Sequence, residues 1–451
     1  MMLPKLIPKE PGIYVVGGTV RDLLMGRQPT DYDIAAAPPC EPLAQRIAQN
    51  AGSRVVLLGK PGVTIYRIVA GELTFDVAPF AGETIREDLK RRDFTINAMA
   101  WDVAKNNLID TLNGRKDIEA GQIRMISPEN FRSDPLRMLR AFRLGAAFRF
   151  SIDSATTTEI RRHAVKIKEA AGERIRDELM KMLATPQSGA YLKEMDSAAL
   201  LTEIFPELEP LKGCLQNQHH DFDAFEHTMT AYGWIEEILA RPENIFVAAD
   251  RHPQYIMPHP ARLKLAMLLH DIGKPECRTE GQKGGIHFYR HESVSAEMAR
   301  AISRRLKLSK DHSAYTDFII RNHLKPLHLF IAHQQQKLTK TAIARFFLKT
   351  RPFAADLLIH AIADARGKKS VQSPNVFEEF CRQLLDACTY DFEPKTASQP
   401  LISGHDLINE LHLRPSPLFA RLLSSVEEER LAGRLMTRSD ALNWIKNLMV
   451  S

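Results

Sequence analysis

The chain has 451 residues, 44% of them hydrophobic and 26% charged, a balance that excludes a disordered or fibrous protein and allows roughly two to four domains with cores of their own. No run reaches the length of a membrane span, and Met1-Met2-Leu3-Pro4-Lys5 lacks a signal peptide's apolar core, so the expected setting is cytoplasmic, with no membrane and no protein partner implied. The net charge of +6 permits a nucleic acid partner, while Cys40, Cys214, Cys277, Cys381 and Cys388 lack the spacing of a disulfide framework or zinc ribbon.

In chain order, Ile13-Tyr14-Val15-Val16 reads as a buried strand, and Val20 to Met25 as a short helix ending at Gly26. Gly17-Gly18 then occupies a strand-to-helix turn whose backbone N–H groups can approach a phosphate closely, since glycine has no Cβ. Asp31 and Asp33, in Asp31-Tyr32-Asp33-Ile34-Ala35-Ala36, lie two apart on an expected strand, which points both carboxylates to one face. Such a pair of hard oxygen ligands suits magnesium in two-metal phosphoryl or nucleotidyl transfer. Taken alone, the pair equally fits a strand with two solvent-facing acids.

Residues 11 to 125 alternate strand and helix patterns, the mark of a small α/β domain. A helix is expected over Glu41 to Ala51, and strands over Arg54 to Leu58, Thr64 to Val69 and Leu73 to Val77. Asp76 is either a third carboxylate brought toward Asp31 and Asp33 or an edge-strand acid. In Lys90-Arg91-Arg92-Asp93-Phe94-Thr95-Ile96-Asn97, cations ahead of an Asp and an Asn, set in apolar sequence, suit a triphosphate and ribose. In Ser133-Asp134-Pro135-Leu136-Arg137, the proline holds Asp134 out of helical geometry as an N-cap, and Arg137, Arg140 and Arg143 form a basic stripe opposite Leu136, Leu139 and Phe142. A capped amphipathic helix with solvated arginines is the plainer reading; phosphate or base contact is the other.

GGTVRD, DYD, RRDFTINA and DPLRMLRAFR resemble, in order and approximate spacing, the class II tRNA nucleotidyltransferase and bacterial poly(A) polymerase family. The resemblance implies an α/β head with a small mixed sheet of polymerase-β type, followed by an all-α neck, an HD-type helical domain and a helical tail. It implies that Asp31 and Asp33 hold catalytic Mg2+ and that Gly18, Arg21 and Arg92 contact the nucleotide. Asp134 and Arg137 would read the base of CTP or ATP, assisted by Arg140 and Arg143. A carboxylate that accepts from an exocyclic amine and a guanidinium that donates to ring nitrogen or carbonyl suit cytosine and adenine, not guanine or uracil. Two departures stand out. Ser133 replaces the Glu usual before the template Asp, and the segment between Asp76 and Arg91 is short, as in enzymes that add only part of the CCA end.

Residues 152 to 184 read as a helical neck, with punctuation at Pro206 and Pro210 marking a boundary. Beyond it, His227, the pair His270-Asp271 closing an apolar helix before Ile272-Gly273-Lys274, and Asp364 form a second constellation. It resembles the HD phosphohydrolase superfamily, in which these four side chains coordinate a divalent metal whose identity is not readable, and His291 and His323 bind a second ion or a phosphate. A degenerate fold kept for shape is the alternative. His219, His220, His252 and His259 read as loop residues, and Arg241 to Pro260 as a surface insertion. The tail from Leu401, with a helix start at Thr437 to Asp440, resembles the family's C-terminal module.

The expected domains are 1–125 (head), 126–209 (neck), 210–390 (HD-type) and 391–451 (tail). The expected function is addition of C, A or both to the tRNA 3′ end. The rivals are a poly(A) polymerase and an RNA-binding HD phosphohydrolase or phosphodiesterase.

Overall fold

The structure, a computed structural model, describes residues 3–60, 63–216, 221–245, 260–281, 285–368, 376–396 and 398–450. His219, His220, His252, His259 and most of the expected insertion from Arg241 to Pro260 lie outside the described residues. The chain divides into two compact units, Met1–Ile204 and Phe205–Ser451.

The first unit opens with β1 (Ile13–Val16), α1 (Gly18–Leu24), β2 (Asp31–Ala36), α2 (Glu41–Asn50), β3 (Val55–Lys60), β4 (Val63–Ala70), β5 (Leu73–Pro79), α3 (Ile85–Lys90), β6 (Ala100–Asp102) and β7 (Asn107–Ile109). These strands form one sheet in the order β3-β4-β5-β2-β1-β6-β7. Only β2 and β5 run parallel, and the other neighbours are antiparallel. The edge strands β6 and β7 carry no sequence signal because three residues each are too few to show alternation.

Alternation along β2 sorts its side chains between two layers. Tyr32, Ile34 and Ala36 join Val15, Val20, Ile47, Phe75 and Val77 in the larger core, roofed by the apolar stripe of α2. Phe75 is fully buried and stacks on Tyr32 with ring centroids 5.4 Å apart. Truncation of Phe75 to Ala is expected to cost about 3–5 kcal/mol. On the opposite face Ala35 packs with Val16, Leu89, Ala98 and Ala100. That smaller cluster covers only the far end of β2, so Asp31 and Asp33 stay exposed.

The first unit continues with α4 (Gly114–Glu119), β8 (Gln122–Ile123), α5 (Glu129–Ser133), α6 (Leu136–Phe148), β9 (Ser151–Ile152), α7 (Ser154–His163), α8 (Gly172–Leu183), α9 (Ser188–Ser197) and α10 (Leu200–Ile204). Ile152 therefore pairs in a short strand rather than opening the neck helices, and β8 and β9 run parallel. Helix α6 buries Leu136, Met138, Leu139 and Phe142, and α8 buries Ile175, Leu179, Met182 and Leu183. The i, i+3 and i+4 spacing of both apolar sets packs the two helices together.

The second unit is helical apart from one two-stranded ribbon. It comprises α11 (Ala224–Ala240), α12 (Pro260–Leu269), α13 (Lys274–Cys277), β10 (Arg278–Glu280), β11 (Ile286–Phe288), α14 (His291–Arg305), α15 (Lys310–Asn322), α16 (Lys325–Gln334), α17 (Lys340–Thr350), α18 (Ala354–Arg366), α19 (Val376–Ala387), α20 (Glu393–Thr396), α21 (Gly404–Asn409), α22 (Pro417–Leu431) and α23 (Arg438–Val450). Every residue of α12 from Leu263 to Leu269 is buried, so its end delivers the following residues into the domain interior. The last helix starts as its sequence implies: Asp440 N–H donates to Thr437 Oγ1 at 3.1 Å, and Thr437 N–H donates to the Asp440 carboxylate at 2.9 Å. Among the described residues, no helix is long and apolar enough to cross a membrane.

Candidate functional site

In the first unit, the chain leaves β1 through Gly17, whose φ of 69° lies in the left-handed region. A Cβ there would meet an Arg92 guanidinium nitrogen at 2.7 Å and an Asp33 carboxylate oxygen at 3.5 Å, so glycine is needed for both reasons. Gly18 begins α1, beneath the Arg21 guanidinium. Gly17, Gly18, Arg21, Arg92 and Asp33 are thus brought to one place from β1, α1, β2 and the end of α3.

Thr19 fixes the carboxylate strand. Its buried hydroxyl donates to the Asp31 carbonyl at 3.1 Å and accepts from Asp33 N–H at 3.0 Å. Asp33 lies open to solvent in a crowded hollow, and partial desolvation pushes its carboxyl up; Arg92 opposes this, while Asp76 and Asp31 add to it. Asp76 is the register partner of Asp33 across the parallel pair β2-β5, which places the third carboxylate beside the other two. There it takes two hydrogen bonds from Arg67, at 2.7 and 2.6 Å.

Arg92 donates twice to Asp88, at 2.9 and 2.8 Å. Arg21 donates to Asp22 and Asn97 and lies 4.4 Å over the Phe148 ring. Asp93 and Asn97, read from sequence as facing a nucleotide, instead turn into the protein. Asp93 accepts from Phe94 N–H at 2.8 Å, Asn97 Nδ2 at 3.0 Å and Arg140 at 3.1 Å. Burial would raise its carboxyl, but Arg140 and these hydrogen bonds hold it below the usual range.

Asp134 has the extended backbone its proline imposes, and one carboxylate oxygen accepts from Leu136 N–H at 3.3 Å. The other accepts from Arg174 of α8 at 2.8 Å. Arg137, half-buried one turn on, donates to the Asn130 carbonyl at 3.4 Å. The arginine stripe is not free for solvent or phosphate along its length. Arg143 donates to Glu178 and Arg140 lies 3.6 Å from it, so α8 grips α6 through this one buried glutamate. Thr19, Arg174 and Glu178 were not singled out from the sequence, because their partners are 12 or more positions away.

In the second unit five helices converge. His227 lies in the first turns of α11, His270-Asp271 follow α12, His291 opens α14, His323 follows α15, and Asp364 is carried by α18. Ligand atoms of His227, His270, Asp271 and Asp364 all lie within 4.8 Å of one another, as do those of Asp271, His291 and His323. His227, His270 and Asp271 are 0%, 0% and 1% exposed. His227 Nε2 is 2.9 Å from Asp364, and His270 Nε2 is 3.1 Å from Asp271 and 3.4 Å from Asp364. Several of these contacts are close without being hydrogen bonds: His270 Nε2 and both Asp271 oxygens find no partner at bonding angle. Atoms that point at a common centre rather than at each other are arranged as ligands.

The imidazole tautomers support this. Nδ1 of His270, His291 and His323 each donates to the carbonyl three residues back, at 2.8, 2.8 and 2.7 Å. A carbonyl only accepts, so Nδ1 carries the proton and a neutral ring turns its Nε2 lone pair into the pocket. Burial lowers the His270 imidazole, yet Asp271 and Asp364 outweigh it and push it up to about 9. Without an ion, a proton stands in for the missing positive charge. Lys274 Nζ lies 2.6 Å from Asp271 and donates to Gln216 at 2.6 Å. Gly273 allows this crowding, since a Cβ would meet Ser295 N at 2.6 Å. His360, absent from the sequence reading, is fully buried against the His270 and His323 rings with neither nitrogen satisfied. An isolated histidine inside an apolar helix gives no signal of its own.

Three family profiles match in series: "Poly A polymerase head domain" over residues 13–124, "Probable RNA and SrmB- binding site of polymerase A" over 149–212, and "HD domain" over 224–367. The chain is 30% identical to an A-adding tRNA nucleotidyltransferase of Deinococcus radiodurans, across 98% of this chain and 97% of that one. It is 31% identical to a CC-adding tRNA nucleotidyltransferase of Thermus thermophilus, across 98% and 94%. In fold it is similar to the Thermotoga maritima CCA-adding enzyme solved with tRNA, with TM-score 0.63 and 21% identity over 97% of this chain and 91% of that one. A CCA-adding enzyme solved with CTP gives TM-score 0.65 at 20% identity, over 98% and 92%. The head and HD families are metal-dependent, and the unsatisfied ligand atoms of the second unit fit a metal. By near full-length identity to two of its members, the chain belongs to the tRNA nucleotidyltransferase family.

Proposed function

We propose that this chain adds C, A or both to the 3′ end of tRNA, taking the nucleotide from CTP or ATP and releasing pyrophosphate. The observation that carries the reading is the open-faced pair Asp31 and Asp33, locked by Thr19 and flanked by Arg21, Arg92 and the Gly17-Gly18 turn. Asp31 and Asp33 would hold Mg2+, which when bound supplies charge neutralisation and activation for an in-line displacement on the α-phosphate. Arg92 and Arg21 stand where the triphosphate would lie, and the turn's N–H groups approach it closely.

Asp134 offers its carboxylate to the exocyclic amine of cytosine or adenine, and Arg137 donates to the base's acceptor edge. Arg140 and Arg143, committed to Asp93 and Glu178, hold the reading helix in place. The working division is head 1–125, neck 126–209, HD-type domain 210–390 and tail 391–451. The test is to incubate the chain with tRNA truncated within its 3′-terminal triplet, supply CTP and ATP singly and together, and sequence the products. Addition of C, A or both that ends at a completed triplet is expected; long A tracts on unrelated RNA point to the poly(A) rival.

The buried cluster favours a second activity, metal-dependent hydrolysis of a phosphate ester, with the ion held by His227, His270, Asp271 and Asp364. Asp271→Ala is expected to abolish such hydrolysis while sparing nucleotide addition. Wild-type protein that takes up no metal in this unit would remove this reading.

A further inference from the structure

We infer that the HD pocket holds two divalent ions rather than one, with Asp271 as the carboxylate shared between them and His291 and His323 as ligands of the second. The inference rests on the reading of the first four residues as a metal site. Its own support is the trio on the far side of Asp271. His291 Nε2 lies 3.3 Å from Asp271 Oδ1 and 3.2 Å from His323 Nε2. His227 and His270 approach the other oxygen, Oδ2, at 3.5 and 3.1 Å. The two oxygens of one carboxylate thus face two separate ligand sets.

The direction of the hydrogen bonds decides what the second set can take. Both His291 and His323 spend Nδ1–H on a backbone carbonyl, so their neutral rings face each other with lone pairs only. Two lone pairs and a carboxylate oxygen, all buried, repel unless a positive centre lies among them. A phosphate would need donors there, and neutral rings in this tautomer offer none. A cation with imidazole and carboxylate affinity meets all three. Side chains from α14 and α15 thereby complete a site that α11, α12 and α18 begin. Ions sharing one carboxylate in this way stand roughly 3.5–4 Å apart, the separation that clamps a phosphoryl group.

The test uses the full chain carrying Asp31→Ala and Asp33→Ala, so that the head takes up no ion, stripped with chelator and titrated with Mn2+ alone. Equilibrium dialysis is expected to give two Mn2+ per chain. Electron paramagnetic resonance is expected to show an exchange-coupled pair, with hyperfine spacing half that of an isolated ion. His291→Ala and His323→Ala, each added to that background, are expected to bind one Mn2+ with the ordinary uncoupled spectrum. Circular dichroism identifies a variant that fails to fold, and the stoichiometry and coupling of the unsubstituted pocket decide the matter without any variant. One uncoupled Mn2+ in that pocket overturns the two-ion inference while leaving the HD metal site standing. Two Mn2+ retained in both folded histidine variants overturn the assignment of His291 and His323. No Mn2+ at all overturns the metal reading of the pocket itself.

Discussion

Asp31 and Asp33 stand on a sheet face open to solvent, on adjacent outward positions of one strand, beside arginines from neighbouring elements. Asp271 and Asp364 lie in a helical interior among imidazoles that have almost no access to water. The open pair costs the fold little, because water solvates its oxygens, and it has room for a large triphosphate with its ion. The closed pocket keeps several ligand atoms unsatisfied, at about 1–3 kcal/mol each. An ion there repays the fold directly. Open carboxylates therefore tie metal binding to substrate, whereas buried ones tie it to stability.

That contrast can be broken most sharply by exchanging lesions. Asp33→Ala is expected to lower nucleotide addition about a thousandfold, the effect of losing roughly 4 kcal/mol of metal-derived stabilisation, while barely changing the melting of either unit. Asp271→Ala should leave addition near wild type and remove metal uptake by the second unit. Steady-state incorporation and metal analysis on the two variants decide it, and equal loss of addition in both would erase the distinction.

Metal removal gives the next largest effect. At a free divalent ion concentration of about 100 times its Kd, the second unit should gain about 2.7 kcal/mol and its thermal transition should rise, while the first unit barely responds. Calorimetry before and after chelation measures this, and His270→Ala should abolish the shift.

Base reading separates Asp134 and Arg137 from the metal-bearing residues. Asp134→Ala or Arg137→Ala should relax discrimination against UTP and GTP by about 10- to 100-fold, corresponding to about 1–3 kcal/mol per lost base contact. Competition assays with mixed nucleotides read it. Arg174→Ala frees the Asp134 carboxylate from its ion pair and is expected to alter KM for the nucleotide more than kcat.

The smallest expected effect lies within the helical unit but outside its metal cluster. Burial pushes Asp356 up to about 6, against the opposing hydrogen bond from Tyr315. The folded state therefore keeps a proton that the unfolded chain has lost between the ordinary carboxylate value and about pH 6. Stability from this group is full below that window and falls as pH rises through it, by at most about 3 kcal/mol. Asp356→Asn should recover about 1 kcal/mol at neutral pH, after loss of part of the Tyr315 bond, and nothing at about pH 3.5. Denaturant melts at the two pH values test the sign.

Much of this was legible in the sequence wherever a motif is local. The turn Gly17-Gly18, the alternation of Asp31 and Asp33, the extended Asp134 before Pro135 and the helix ending in His270-Asp271 each depend on neighbours within a few residues. What escaped depends on distant pairing. Asp93 and Asn97 looked like nucleotide ligands until Arg140 and Arg21 took them inward. The stripe of Arg137, Arg140 and Arg143 was visible as a period, but Glu178, which holds two of its members, sits 35 or more residues on. The three Nδ1–carbonyl bonds that orient His270, His291 and His323 are local in sequence yet silent in it, because a ring's rotamer is set by the helices around it.

The central claim, that the open carboxylate pair transfers nucleotides to tRNA, is tested most directly by sequencing the 3′ ends of truncated tRNA after incubation with CTP and ATP, for the wild-type chain and Asp33→Ala. The expected result is C, A or both, added by the wild type up to a completed triplet and stopping there, with almost none added by the variant. Undiminished addition by Asp33→Ala, or unlimited A tracts on any RNA, would contradict it.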